Sequence, residues 1–185
     1  MLGFLPYSIL AIASLATARD PTVYLIRHGE KPSDGGNGLN AQGLERAQCL
    51  REVFGKNSEY NITHIMAQTP KSSMVTPCLH GKRARPHDTV EPLAKDLGLT
   101  VDTSCGRDDP DCVKDVVDGY DGKGLANILI CWEHDALTDI AETLGVKDAP
   151  SYPDDSFDII WTLPGPYKEI TAKTSEHCPG LDDDE

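Results

Sequence analysis

Val23-Tyr24-Leu25-Ile26-Arg27-His28-Gly29-Glu30 is the stretch on which the rest of the chain turns. Its first four residues form a short apolar, β-favouring run that stops at Arg27-His28-Gly29, as expected of a buried strand delivering polar side chains at its carboxyl end. Much later, Ile128-Leu129-Ile130-Cys131-Trp132 repeats the pattern and runs into Glu133-His134. An apolar run without alternation is expected of a central strand covered on both faces. Ligands of an open α/β sheet bind beyond the carboxyl ends of its strands. Two strands ending in histidine, one of them beside an arginine, therefore point to a site rather than to packing.

Working outward, Ser33 to Gly38 reads as a polar loop, and Asn40 as the cap of a helix whose apolar positions are Leu44, Ala47, Leu50, Val53 and Phe54. Ile62 to Ala67 reads as a second strand. Pro92 suits the first turn of a helix running to Leu97, with Gly98 as its stop. Asp109-Pro110 opens a further helix through Val113, Val116 and Val117. Asp135 begins another, with Leu137, Ile140, Ala141 and Leu144 on one face and Gly145 at its end. Phe157 to Leu163 reads as the last strand, and the tail beyond Tyr167 carries no pattern. Strands alternating with helices predict a single α/β domain. Its architecture is a three-layer sandwich, a mostly parallel central sheet with helices on both faces.

The chain has 185 residues, 25% of them charged and 39% hydrophobic, which suits one domain with a substantial core. A net charge of −13 argues against nucleic acid as a partner, because phosphate backbones demand clustered Lys and Arg. Against that background the window 71–87 stands out, with Lys71, Lys82, Arg83 and Arg85 and no acid. Residues 1–18 contain no charged side chain and end in Ala16-Thr17-Ala18, the small-x-small form of a signal-peptide cleavage site. The expected organisation is thus a signal peptide over 1–18 and one domain over 19–185, secreted, with no membrane segment in the mature form. A buried N-terminal helix or a short membrane anchor is the alternative for this stretch, and a cytoplasmic location the alternative to secretion.

The six cysteines are Cys49, Cys78, Cys105, Cys112, Cys131 and Cys178. They suit an oxidising compartment, with Cys105 and Cys112 the first pair to expect and Cys131 a buried thiol. Asn61-Ile62-Thr63 is a glycosylation sequon. No Cys/His spacing matches a zinc site. The sequence does not indicate an oligomeric state.

Arg27-His28-Gly29-Glu30 after an apolar strand resembles the signature of the histidine phosphatase (phosphoglycerate mutase-like) superfamily. Leu39-Asn40-x-x-Gly43-x-x-x-Ala47 is similar to the family's segment at the start of its first helix. Arg85-x-x-x-Thr89, followed by Leu93-Ala94-x-x-Leu97-Gly98-Leu99, resembles the segment with the second catalytic arginine, and His134 matches the second catalytic histidine. The resemblance spans residues 22–163. It implies a phosphomonoesterase acting on a small phosphorylated substrate through a phosphohistidine at His28, with neither metal nor cofactor. Arg27, Arg85 and His134 would hold the phosphoryl oxygens.

Such chemistry suits these residue types. An unprotonated imidazole nitrogen can attack phosphorus, and forked guanidinium groups match equatorial oxygens. The sequence departs from the family at Glu133, which stands where Gly usually precedes the second histidine, and in the long insertion between Gln68-Thr69-Pro70 and Arg85. The acid that protonates the leaving group is open among Asp108, Asp109, Asp135 and Glu133, with Asp108 ranked first. Asp109 and Asp135 could instead cap helices. The rivals are a phosphomutase of the same fold and a non-catalytic phosphate-ligand or protein-binding module that retains it.

Overall fold

The computed structural model describes residues 20–71, 82–122 and 126–182. The expected leader, Arg19, Cys78 and most of the basic window lie outside the described residues. Strand β1 (Val23–Arg27) pairs in parallel with β4 (Asn127–Trp132), and β4 pairs in parallel with β2 (Ile62–Ala67), which carries the short β3 (Val101–Asp102) on its other edge. β5 (Ile159–Leu163) runs antiparallel beside β1, and β6 (Ala172–Ser175) antiparallel beside β5. The order is β3-β2-β4-β1-β5-β6, a mixed sheet that is parallel where the two histidine-ending strands lie side by side.

Side chains alternate across β1 and β4 with the two-residue period of a strand. Ile26, Leu129 and Cys131 face a core shared with Leu50, Phe54, Val90 and Leu93 of helices α1 (Ala41–Val53) and α2 (Arg85–Leu97) and the turn after α1. Leu25, Ile128, Ile130 and Trp132 face the opposite core, built with Val113 and Val117 of α3 (Pro110–Asp118) and Leu137 and Ile140 of α4 (His134–Leu144). Both faces are thus covered, which is why β4 is apolar from Ile128 to Trp132.

Local chemistry fixes several ends as expected. The Asn40 side chain accepts from Gly43 N, the Asp109 side chain accepts from Cys112 N, and Gly98 closes α2 at φ 69°. Four expectations are corrected. Helix α2 begins at Arg85 rather than at Pro92: Pro86 occupies its first turn, where a missing N–H costs nothing, and Pro92 sits inside it. Glu133, not Asp135, holds the cap position of α4, and its side chain makes no cap bond. The segment after Tyr167 contains β6, so β5 is not the last strand. Leu44 is 55% exposed, because the inward position of α1 is taken by Arg46.

Arg46 is almost fully buried and is surrounded by carboxylates. It donates to Glu30 at 2.7 Å, Glu176 at 2.6 Å and Asp182 at 2.7 Å. A disulfide between Cys49 and Cys178 fixes the same contact between α1 and the C-terminal segment. A second disulfide joins Cys105 to Cys112, the pair expected from sequence, and Cys131 is a buried free thiol. One guanidinium cannot neutralise three carboxylates, and burial pushes the Glu176 carboxyl up to about 8.

A carboxyl raised on folding holds a proton that the unfolded chain has lost. Stability should therefore fall as pH rises from the ordinary carboxylate value toward 8. Glu176→Gln removes that dependence while keeping an acceptor for Arg46. Urea unfolding at pH 5 and pH 8 should show a wild-type loss exceeding the variant's by on the order of a few kcal/mol. Equal losses would show that Glu176 is ionised throughout.

Candidate active site

Register brings the site together. Arg27 lies opposite Trp132 in the parallel ladder, and His28 N donates to Trp132 O at 3.1 Å, so His28 and Glu133 emerge side by side at the carboxyl edge. His28 is 1% exposed, and its Nδ1 lies 2.7 Å from Gly29 O. A carbonyl only accepts, so Nδ1 carries a proton and Nε2 is the nitrogen turned to the site. The backbone behind it is pinned: Gly29 N donates to Thr89 Oγ1 at 2.9 Å, and Thr89 donates to Arg85 O at 2.8 Å. This turn also presses directly on α1. A Cβ on Gly43 would lie 2.5 Å from Glu30 O, and one on Gly29 would lie 3.0 Å from Gly43 Cα. Gly43 therefore requires glycine, and a side chain at Gly29 would press on the α1 backbone.

Two arginines approach from different elements. Arg27, at the end of β1, is 1% exposed, and its Nη1 donates to Asp154 O at 2.7 Å and Ser156 O at 2.6 Å, with Pro153 O at 3.3 Å. Its guanidinium lies 3.8 Å from the centre of the Phe157 ring, a cation–π contact. Its Nε is buried with no partner among the described residues. Arg85, at the start of α2, donates from Nε to Gly38 O and from Nη2 to Gly36 O, both at 3.0 Å. That leaves Nη1 facing Glu133 Oε1 at 3.8 Å.

The end of β4 supplies the remaining groups. Glu133 Oε2 lies 3.3 Å from His28 Nε2, and Gln68 Oε1 accepts from Glu133 N at 3.3 Å. The bond with His28, with Arg85 and Arg107 nearby, pulls the Glu133 carboxyl down to about 2 against the effect of burial. His134 Nε2 lies 2.9 Å from Asp135 and 3.1 Å from Asp154. Burial, then the charge of Arg27, pulls its pKa below the ordinary value, while the two aspartates oppose this.

Asp135 is exposed and also pairs with Arg107 at 3.2 Å. Asp108 pairs with Arg107 and, at 3.4 Å, with Arg83. Asp108 and Asp135 line one shallow cleft of about 100 Å³ beside Arg107. Asp109 is occupied as the cap of α3.

His28, Arg85 and Glu133 thus form one contact chain. Arg27 and His134 meet through the 153–157 segment, where Arg27 takes the Asp154 carbonyl and His134 the Asp154 carboxylate. Asp108 and Asp135 stand at the rim. Sequence reasoning missed Phe157, Asp154, Gln68 and Arg107. Trp132 Nε1 donates to Arg107 O at 2.9 Å, fixing that loop. The acidic Pro153-Asp154-Asp155-Ser156 run after Tyr152 was the signal available for the segment that wraps Arg27.

No protein-family model and no curated protein matches this chain. Solved structures do. The protein histidine phosphatase SixA complexed with tungstate superposes with a TM-score of 0.57 at 16% identity, covering 84% of this chain and 97% of that one. A protein from Agrobacterium tumefaciens assigned as a SixA phosphohistidine phosphatase gives 0.54 at 13% identity, covering 84% and 98%. A protein from Escherichia coli assigned as an α-ribazole-5′-P phosphatase gives 0.51 at 15% identity, covering 85% and 98%. With its mostly parallel sheet, two helical layers and a histidine at the end of each of two adjacent strands, this chain has the fold of the histidine phosphatases.

Proposed function

We propose that the protein is a phosphomonoesterase that acts through a phosphohistidine at His28. The observation that carries this is the His28 ring itself. Its Nδ1–H is committed to Gly29 O, so Nε2, turned to the carboxyl edge of the sheet, is the nitrogen that would attack once Glu133 gives way. Arg27 and Arg85 supply fixed cationic donors for the phosphoryl oxygens, and His134 a third donor at the start of α4, where the helix dipole favours an anion. Neutral backbone carbonyls hold Arg27 and take two of the donors of Arg85, so most of their charge remains for an anionic substrate. The phosphorylated compounds of the structural neighbours, a phosphohistidine protein and an α-ribazole phosphate, are reasonable first substrates.

Brief exposure to a generic aryl phosphate followed by quenching should trap acid-labile, base-stable phosphate on His28. His28→Ala should lose both label and turnover, by at least about 10³-fold. Near-normal turnover in that variant would eliminate the mechanism. The contact of Glu133 with Nε2 favours a second reading, a phosphate-ligand module without turnover; a wild type that binds phosphate but neither labels nor hydrolyses would establish it.

The two disulfides fit the proposed secretion through an oxidising compartment. Mass spectrometry of the natural protein should find a chain beginning at Arg19 with the pairs Cys49–Cys178 and Cys105–Cys112. An intact Met1 with free thiols would place the protein in a reducing compartment instead.

A further inference from the structure

Glu133 stands where the family pattern has glycine, and it stands against the nucleophile. In-line attack needs phosphorus about 3–3.5 Å from the attacking atom, and Glu133 Oε2 occupies that distance from His28 Nε2, at 3.3 Å. Its other oxygen faces Arg85 Nη1 at 3.8 Å. The carboxylate therefore sits between nucleophile and arginine, where a phosphoryl group would dock, and substrate can reach Nε2 only by moving it. No cap bond on α4 ties the side chain down: among the described residues its polar contacts are those to His28 and Arg85, and it is 18% exposed.

We propose that Glu133 is the general acid–base of this site and exchanges one proton with His28 at each turnover. This rests on the phosphohistidine reading above. In the empty site Nδ1–H is committed to Gly29 O, and an ionised Glu133 can accept from Nε2 only if Nε2 also bears a proton. Such an imidazolium is not a nucleophile. A phosphoryl dianion entering among Arg27, Arg85 and Arg107 offsets the positive charge that keeps Glu133 ionised, and the Nε2 proton passes to Oε2. One transfer thereby gives His28 its lone pair, gives Glu133 a proton to donate, and removes a negative charge from beside the substrate.

Nε2 then bonds to phosphorus as the ester P–O bond breaks, and the leaving oxygen takes the Glu133 proton. In the second half, water bonds to phosphorus and gives its proton to the Glu133 carboxylate, while the P–N bond returns its electron pair to Nε2. Release of phosphate lets the proton pass back to Nε2, and the empty state is restored.

The charged groups facing Glu133 are His28, Arg85 and Arg107, with Arg27 within electrostatic reach. Of the other candidates, Asp108 is held by Arg107 and Arg83, and Asp135 by Arg107 and His134.

The experiment is single-turnover phosphorylation of His28 by an alkyl phosphate, whose leaving group needs a proton, and by nitrophenyl phosphate, whose leaving group hardly does. The proteins are wild type, Glu133→Gln, Glu133→Gly and Asp108→Asn. Both Glu133 variants should slow the alkyl ester by at least about 10²-fold while changing the aryl ester less than about 10-fold, and their phosphohistidine should persist longer because the base for water is gone. Asp108→Asn should keep the wild-type ratio of the two rates. Faster labelling by both esters in the Glu133 variants would overturn the proposal and leave Glu133 as a plug. A selective alkyl loss in Asp108→Asn, with none in the Glu133 variants, would overturn it in favour of Asp108. Absence of label on wild-type His28 would overturn the underlying phosphatase reading, and is read from the wild type alone.

Discussion

Everything at this site depends on one alignment, the parallel pairing of Arg27 with Trp132. Parallel neighbours lie about 4.8 Å apart, so the residues that follow, His28 and Glu133, leave the sheet as adjacent side chains. The alignment is enforced by apolar burial. Ile26 and Cys131 must face α1 and α2 while Leu25 and Ile130 face α3 and α4, and a slip of one residue would invert every one of them. Whatever residue precedes His134 is thereby compelled to lie against His28, the nucleophile of the proposed function. Glycine there leaves an open pocket; glutamate places a carboxylate in it.

The acidity of the chain makes the treatment of its buried arginines informative. Arg46 is ringed by three carboxylates, and its charge is fully spent on joining α1 to the C-terminal segment. Among the described residues Arg27 bonds only to carbonyl oxygens and an aromatic face, and Arg85 to two carbonyls with a carboxylate at a longer distance. Carbonyls orient a guanidinium without cancelling it. A protein with a net charge of −13 thus positions Arg27 and Arg85 by neutral acceptors, leaving charge for the anion of the proposed function, while Arg46, with its structural work, is neutralised by acids.

The sequence made β1, β2, β4 and the caps at Asn40 and Asp109 legible because each is decided by neighbours in the chain. Apolar runs, turn residues and capping side chains act within a few positions. It also made His28, Arg27 and Arg85 recognisable as a set, through motif and strand context, although it placed the start of α2 at Pro92 instead of Arg85. What it concealed are partners chosen across the fold. Arg46 has no local mark distinguishing it from a surface arginine, and helical spacing alone favoured Leu44 for the inner face. β6 is short, polar and defined by its pairing with β5. Phe157 was assigned to a strand, yet its ring lies under Arg27 because the preceding segment turns its carbonyls onto that guanidinium. The sequence ranks Asp108 first among the acids on the strength of its loop, and the contact of Glu133 with His28 follows from a register that no local pattern encodes.

A site built for an anion, as the proposed function requires, carries a cost of its own, which bears on why a carboxylate stands in it. Arg27 is buried and Arg85 largely so, and a cation removed from water without a counter-charge is costly. Glu133 supplies that counter-charge when no substrate is present. A phosphoryl dianion can displace it because it brings twice the charge and more oxygens to the same donors; two unit charges 4 Å apart at a protein surface interact by about 4 kcal/mol. In the proposed cycle inorganic phosphate leaves against the return of the same carboxylate, so the exchange would weaken product and substrate binding alike while leaving the transition state, with its charge on three equatorial oxygens, matched to the arginines. Ground-state binding that is weakened without loss at the transition state favours turnover.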